Sequence, residues 1–271
     1  MTALHTEITE PRGPRRGTII AIPGLAESAA TLAPTAHHWA QQGWQVVAVD
    51  PRGHGSSPRW TPELLNQHPG DVIVEELVDT VEALGLGTAE PLVYFGHSAG
   101  GSAAAAAAAR TAGVRAVILE DPFWRLPVTP HQDRQVAEAA ADNLRRLQAM
   151  TDEARQAEAA ATFPRWPSDE LPAWSQAKAD MDATLVANGD VIPTRAWPTL
   201  LADLRASSVP VQIITGTIKI GITANHRAIA RSLGAETTVL DGATHFIRRD
   251  ERARFHQITE RFLDSALSRT R

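Results

Sequence analysis

The sequence predicts an α/β protein: a mostly parallel, doubly wound sheet with helices on both faces and a helical cap inserted between two strands. Three observations carry this expectation. Short runs rich in Val, Ile and Leu recur along the chain, each ending at a Gly, Pro or Asp turn signal. Helical patterns alternate with them, as strands buried on both faces and joined by crossover helices require. The alternation then stops from Phe123 to about Leu204, where no convincing strand pattern occurs.

The elements follow in order. "GTIIAIPG" reads as a buried strand running into a loop, and "TLAPTAHHWAQQG" as a helix closed by Gly43. "WQVVAVD" is a second buried strand that stops at the glycine-rich "PRGHGSS". "DVIVEELVDTVEALGL" carries apolar residues at helical spacing. "PLVYFG" is a third strand, followed by "HSAGG" and an alanine run that forms a helix with little side-chain bulk. "VRAVILED", "VPVQIITG" and "ETTVLDG" complete six expected strands. "HRAIARSLG" and "ERARFHQITERFLDSAL" are the last helices. Within the break, "HQDRQVAEAAADNLRRLQAM" and "DEARQAEAAATF" are helical, and proline-punctuated segments carry Trp166, Trp174 and Trp197. The expected division is a core of residues 1–122 and 205–271 and a cap of residues 123–204.

Composition narrows the class. A chain of 271 residues can bury one large core. Its 43% hydrophobic and 21% charged residues are ordinary for a soluble domain. A net charge of −5 gives no global attraction to nucleic acid or an anionic membrane. Cysteine is absent, which excludes disulfides, thiolate metal sites and a cysteine nucleophile. The start has no apolar core of signal-peptide length, and no apolar run is long enough to span a bilayer. The expectation is a cytoplasmic protein with a small-molecule substrate, no cofactor and no metal. The oligomeric state is not legible.

The chemistry centres on "YFGHSAGGS", where Ser98 stands at the middle of Gly96-His97-Ser98-Ala99-Gly100. Such a motif after a strand and before a helix is a nucleophile elbow, whose tight turn leaves no room for β-carbons at the glycines. The plainer reading is a serine that caps a helix. With this elbow, the chain resembles the α/β-hydrolase family over nearly its whole length. "IPGLAES" resembles the family's oxyanion loop, "DPRGHGSS" the loop after its next strand, and "DGATHFIRRD" its histidine loop. The resemblance implies that Ser98 is the nucleophile and His245 the base, with the amides of Leu25 and Ala99 as oxyanion donors. His245 also fits on its own terms, lying late in the chain in a loop between a strand and a helix. A serine hydroxyl needs such a base before it can attack.

The acid is less plain. The family's usual position, a few residues past the fifth expected strand, reads "ITGTIKIGIT", and no Asp or Glu occurs from Thr215 to Ala235. Lys219 stands near the expected place, and a lysine cannot accept a hydrogen bond from imidazole. Some members carry the acid after the preceding strand, which here ends "VILEDPFW". Alternation points Glu120 and Asp121 in different directions, and an ungapped count favours Asp121, with Glu120 as second choice. Asp241 is a third candidate, close in sequence to His245. Trp124 and Phe123, just beyond the acid, are the expected substrate-binding residues. The function these residues suggest is a serine hydrolase of a carboxylic ester or lactone of a small, apolar substrate. Alternatives on the same fold are carbon–carbon bond hydrolysis, thioester hydrolysis, and non-catalytic ligand binding.

Overall fold

The computed structural model describes residues 3–124 and 134–268. Its strands are β1 (Thr6–Thr9), β2 (Gly17–Ile22), β3 (Trp44–Val49), β4 (Leu92–His97), β5 (Val114–Glu120), β6 (Val211–Thr215) and β7 (Glu236–Val239). They form one sheet in the order β1-β3-β2-β4-β5-β6-β7. Every neighbouring pair is parallel except β1 with β3. The six expected strands are all present. The antiparallel edge strand β1 was not anticipated, because "TEIT" is short and contributes only one apolar side chain.

The helices, in chain order, are α1 (Ala33–Gln41), α2 (Pro62–Leu65), α3 (Pro69–Ala83), α4 (Ala99–Ala108), α5 (Arg134–Gln148) and α6 (Asp152–Thr162). They continue with α7 (Leu171–Asp180), α8 (Ala183–Asn188), α9 (Trp197–Ala206), α10 (Ala224–Ser232), α11 (Ile247–Asp250) and α12 (Arg252–Ser268). Between β5 and β6 the described residues hold helices and no strand. No helix among the described residues is long and apolar enough to cross a membrane.

Alternation along each strand divides the core in two. On one face, Ile20, Val47, Tyr94 and Leu119 pack with α3, α4 and α9. On the other, Ile19, Val46, Phe95 and Ile118 pack with Trp39, Phe255 and Phe262 of α1 and α12. The alanine run of α4 is buried almost throughout, and its small side chains let the helix lie close to β4. That closeness leaves no spare volume. Ala104→Leu, at a position with 0% exposure, should destabilise the fold by about 1–3 kcal/mol through overpacking. A lower urea midpoint at unchanged slope would show it.

Parallel strands bring their C-terminal ends to one edge, where ligand crevices of open α/β sheets lie. Ile22 is level with Gly96, and His97 is level with Glu120. The loops beginning at Pro23, Ser98 and Asp121 therefore leave the sheet side by side.

Candidate active site

Ser98 sits between β4 and α4 at φ 55° and ψ −122°, outside the regions an L-residue prefers. Such a conformation costs on the order of 1–3 kcal/mol and persists only where its surroundings dictate it. Here they do. A β-carbon at Gly96 would come within 2.3 Å of the Gly100 carbonyl oxygen, and one at Gly100 within 2.1 Å of the Pro23 carbonyl oxygen. The Ser98 amide donates to Glu120 O at 3.0 Å, and Ser98 O accepts from Phe123 N at 2.9 Å. The hydroxyl makes no capping hydrogen bond, so the plainer capping reading does not describe it.

His245 Nδ1 is hydrogen-bonded to Asp121 Oδ2. Asp121 is fully buried and also has positive φ, 38°. Its carboxylate accepts from Thr215 Oγ1 at 2.6 Å, Gly221 N at 2.5 Å and Ile222 N at 3.3 Å. The loop that lacks a carboxylate of its own thus supplies backbone donors to the carboxylate that β5 provides. Lys219, in that loop, is exposed. Asp241 is exposed too, and accepts from Thr217 Oγ1 at 3.2 Å instead of meeting His245. With Nδ1 donating to Asp121, Nε2 of His245 is left as the basic nitrogen. Among the described residues no hydrogen bond links it to Ser98 Oγ; such contacts are often loose in a free enzyme and tighten with substrate.

Glu120 faces the other way, as alternation requires. Its carboxylate accepts from Arg248 N and Arg248 Nη1, both at 2.7 Å. Arg248 also reaches Glu27 Oε1 at 2.9 Å, and Arg249 pairs with Glu27 at 2.8 Å and Glu170 at 3.1 Å. Glu27 Oε2 accepts from Gly24 N at 2.9 Å and lies 2.7 Å from His97 Nδ1. The other His97 nitrogen, Nε2, donates to His245 O at 3.0 Å. Burial alone would raise the Glu27 carboxyl, but Arg248, Arg249 and His97 hold it well below the usual carboxylate range. Burial pushes His97 toward the neutral ring, and Glu27 and Glu120 oppose it. The hydrogen bonds decide the matter: a carbonyl faces Nε2 and a carboxylate faces Nδ1, so both need a proton. His97 therefore balances Glu27 and ties the oxyanion loop to the loop that carries His245.

This network was missed in the sequence, where Glu27 lies far from the adjacent Arg248 and Arg249 and nothing local pairs them. Removing one member unbalances charges that are shut away from water. Glu120→Gln should cost about 3–5 kcal/mol, read as a lower denaturation midpoint.

Neither Leu25 N nor Ala99 N donates to a protein group among the described residues. The two residues line one small cavity together. His54 braces its loop, with Nδ1 donating to Arg52 O at 3.2 Å. Phe123 is half-buried beside Ser98. Trp124 does not open onto solvent; it is 3% exposed and stacks on Trp197, with ring centres 4.4 Å apart. Phe163, Trp166 and Trp174 form a separate cluster against Phe246, the residue after His245. From α7, Lys178 Nζ donates to Ala26 O in the oxyanion loop at 2.6 Å. Burial pushes this ammonium down to about 8. Among the described residues no three His, Asp or Glu side chains are placed to hold a metal ion.

The family model for the serine aminopeptidases, S33, matches residues 13–252. The chain belongs to this family of α/β hydrolases. A search of curated proteins by sequence found no match. Among solved structures, an E-2-(acetamidomethylene)succinate hydrolase is similar at 18% identity and TM-score 0.73, covering 96% of this chain and 95% of the other. An N-formylmaleamic acid deformylase from Pseudomonas putida S16 is similar at 23% identity and TM-score 0.72, covering 94% and 95%. The enol-lactonase of Burkholderia xenovorans LB400 is similar at 23% identity and TM-score 0.67, covering 96% of each. At these identities the likeness is one of fold, and one such fold carries many chemistries.

Proposed function

We propose that this hydrolase cleaves a carboxylic ester or lactone of a small substrate through an acyl-enzyme on Ser98. The observation that carries the reading is the hydrogen bond between buried Asp121 and His245, formed at the same sheet edge as the strained Ser98 turn. His245 Nε2 takes the Ser98 proton as Oγ attacks the carbonyl carbon. The amides of Leu25 and Ala99 receive the oxyanion, a role worth about a hundredfold to a thousandfold in rate per donor. The imidazolium, balanced by Asp121, protonates the leaving oxygen, and the carbon–oxygen bond breaks. His245 then takes a proton from water, which attacks the acyl carbon and releases the acid and free Ser98.

Residues 123–204 act in this reading as a cap on a core of residues 1–122 and 205–271. The Lys178 contact with the oxyanion loop and the Arg249–Glu170 ion pair join cap and core near the site. Fluorophosphonate labelling, followed by mass spectrometry of the modified peptide, tests the reading. A label on Ser98 is the expected result. No label, with the protein folded, would turn the assignment toward ligand binding without catalysis.

A further inference from the structure

The oxyanion loop contains a four-residue turn, Gly24-Leu25-Ala26-Glu27, closed by Glu27 N donating to Gly24 O at 3.0 Å. A β-carbon at Gly24 would lie 3.2 Å from Ser98 Cβ, so the turn starts against the nucleophile. Ala26 has φ 59°, a left-handed conformation that an alanine adopts only under constraint. Leu25 makes no backbone–backbone hydrogen bond, so its amide is placed by what holds its neighbours. Glu27 holds the start of the turn as well as its end, because its Oε2 accepts from Gly24 N at 2.9 Å. The crest is held by Lys178 of α7, whose Nζ donates to Ala26 O at 2.6 Å. We propose that Lys178 is a positioning residue for the reaction: it fixes this turn so that the Leu25 amide meets the oxyanion. The proposal rests on Ser98 being the nucleophile and Leu25 an oxyanion donor.

The surroundings of Lys178 suit such a role better than a stabilising one. Among the described residues its ammonium has no ion pair. It rests instead over the Trp174 ring, 5.0 Å from the centre, and on Ala26 O. Taking an ammonium out of water without an anion beside it costs stability. Displacing a group at the reacting centre by about 1 Å, by contrast, costs about a hundredfold in rate.

The tie depends on a proton, because a charged donor bonds about twice as strongly as a neutral one. Burial brings the Lys178 ammonium down to about 8, with Glu27 opposing the fall and Arg249 of α11 adding to it. His54, in the loop after β3, is within reach of this charge and is held toward the neutral ring by burial. Glu170, just before α7, is taken up by Arg249 and Arg252. Asp152 of α6 is taken up by Ser175 and Arg155. The turn therefore loosens as pH rises through about 8.

The test compares Lys178→Met and Lys178→Arg with the wild type between about pH 6 and pH 10, a range that brackets the Lys178 titration. Two rates are read: turnover of the p-nitrophenyl ester, from acetate to octanoate, that the wild type cleaves fastest, and fluorophosphonate labelling of Ser98. At neutral pH the methionine variant should lose about tenfold to a hundredfold in kcat and in labelling rate, with KM and the unfolding midpoint close to wild type. Wild-type rates should fall as pH rises through about 8. That fall should be absent from the methionine variant, which has no proton to lose, and from the arginine variant, whose guanidinium stays charged. Wild-type kcat in the methionine variant overturns the positioning role and leaves the hydrolase reading intact. So does a loss carried by KM alone, which marks a substrate contact. So does a loss matched by a lower unfolding midpoint with the alkaline fall still present, which marks a structural role. Should the methionine variant not fold, the arginine variant decides, and an alkaline fall that persists there overturns the proposal. Absence of both turnover and Ser98 labelling in the wild type overturns the hydrolase reading, and the role of Lys178 with it.

Discussion

Ser98→Ala should abolish ester turnover and fluorophosphonate labelling while the protein keeps its fold. Nucleophile and base act as a unit, so losing either costs about a millionfold in turnover in a comparable serine hydrolase. The substitution removes one oxygen from a half-buried side chain that makes no hydrogen bond of its own. Alanine must adopt the same positive φ as serine, so the turn is neither relieved nor further strained. The unfolding transition should therefore stay close to wild type, which separates lost chemistry from lost structure. Turnover within tenfold of wild type would remove Ser98 from the mechanism.

Asp121→Asn should lower turnover by about ten-thousandfold, the cost of losing the orienting carboxylate in the serine-protease triad. Oδ2 receives both His245 Nδ1 and Gly221 N, while Oδ1 receives Thr215 Oγ1 and Ile222 N. An asparagine can offer its oxygen to only one of these two sets. With the amide nitrogen toward His245, the ring is driven to the wrong tautomer. With the oxygen toward His245, the imidazolium loses its counter-charge. Turnover falls either way. Measured beside Glu120→Gln, the pair should separate cleanly: the Asn variant loses kcat, and the Gln variant loses stability. Two neighbouring carboxylates with the reverse pattern would overturn the assignment of Asp121.

Strands and the elbow were legible because each depends on residues adjacent in sequence. "PLVYFGHSAGG" names a strand, a tight turn and a helix start within a few residues. That Glu120 and Asp121 point apart was legible because side-chain alternation is a local rule, and the structure has the two carboxylates on different partners, His245 and Arg248; the preference for Asp121 came from the count against the family pattern. Edge strand β1 was not legible, since its pairing with β3 comes from backbone hydrogen bonds that need little from the side chains. The Glu27–His97–Arg248 network was not legible either. Its members come from the oxyanion loop, the elbow and α11, and only the parallel sheet brings those segments together. Nor could the sequence show that "KIGIT" replaces a missing acid with two backbone donors, since any residue but proline has the amide.

The ion network bears on how the molecule can be rebuilt. It runs from Glu120 in β5 through Arg248, Glu27 and Arg249 to Glu170, just before α7 in the inserted segment. The insertion is therefore not an interchangeable module. Grafting a cap from another hydrolase between β5 and β6 would strip Arg249 of one carboxylate in a place water does not reach. The disturbance would pass through Glu27 to His97, which holds the His245 backbone. A chimera would need its own acidic residue at position 170, or an apolar residue in place of Arg249, before any new specificity could be judged. Recombination at the apparent loop boundaries would discard what one segment owes to the other.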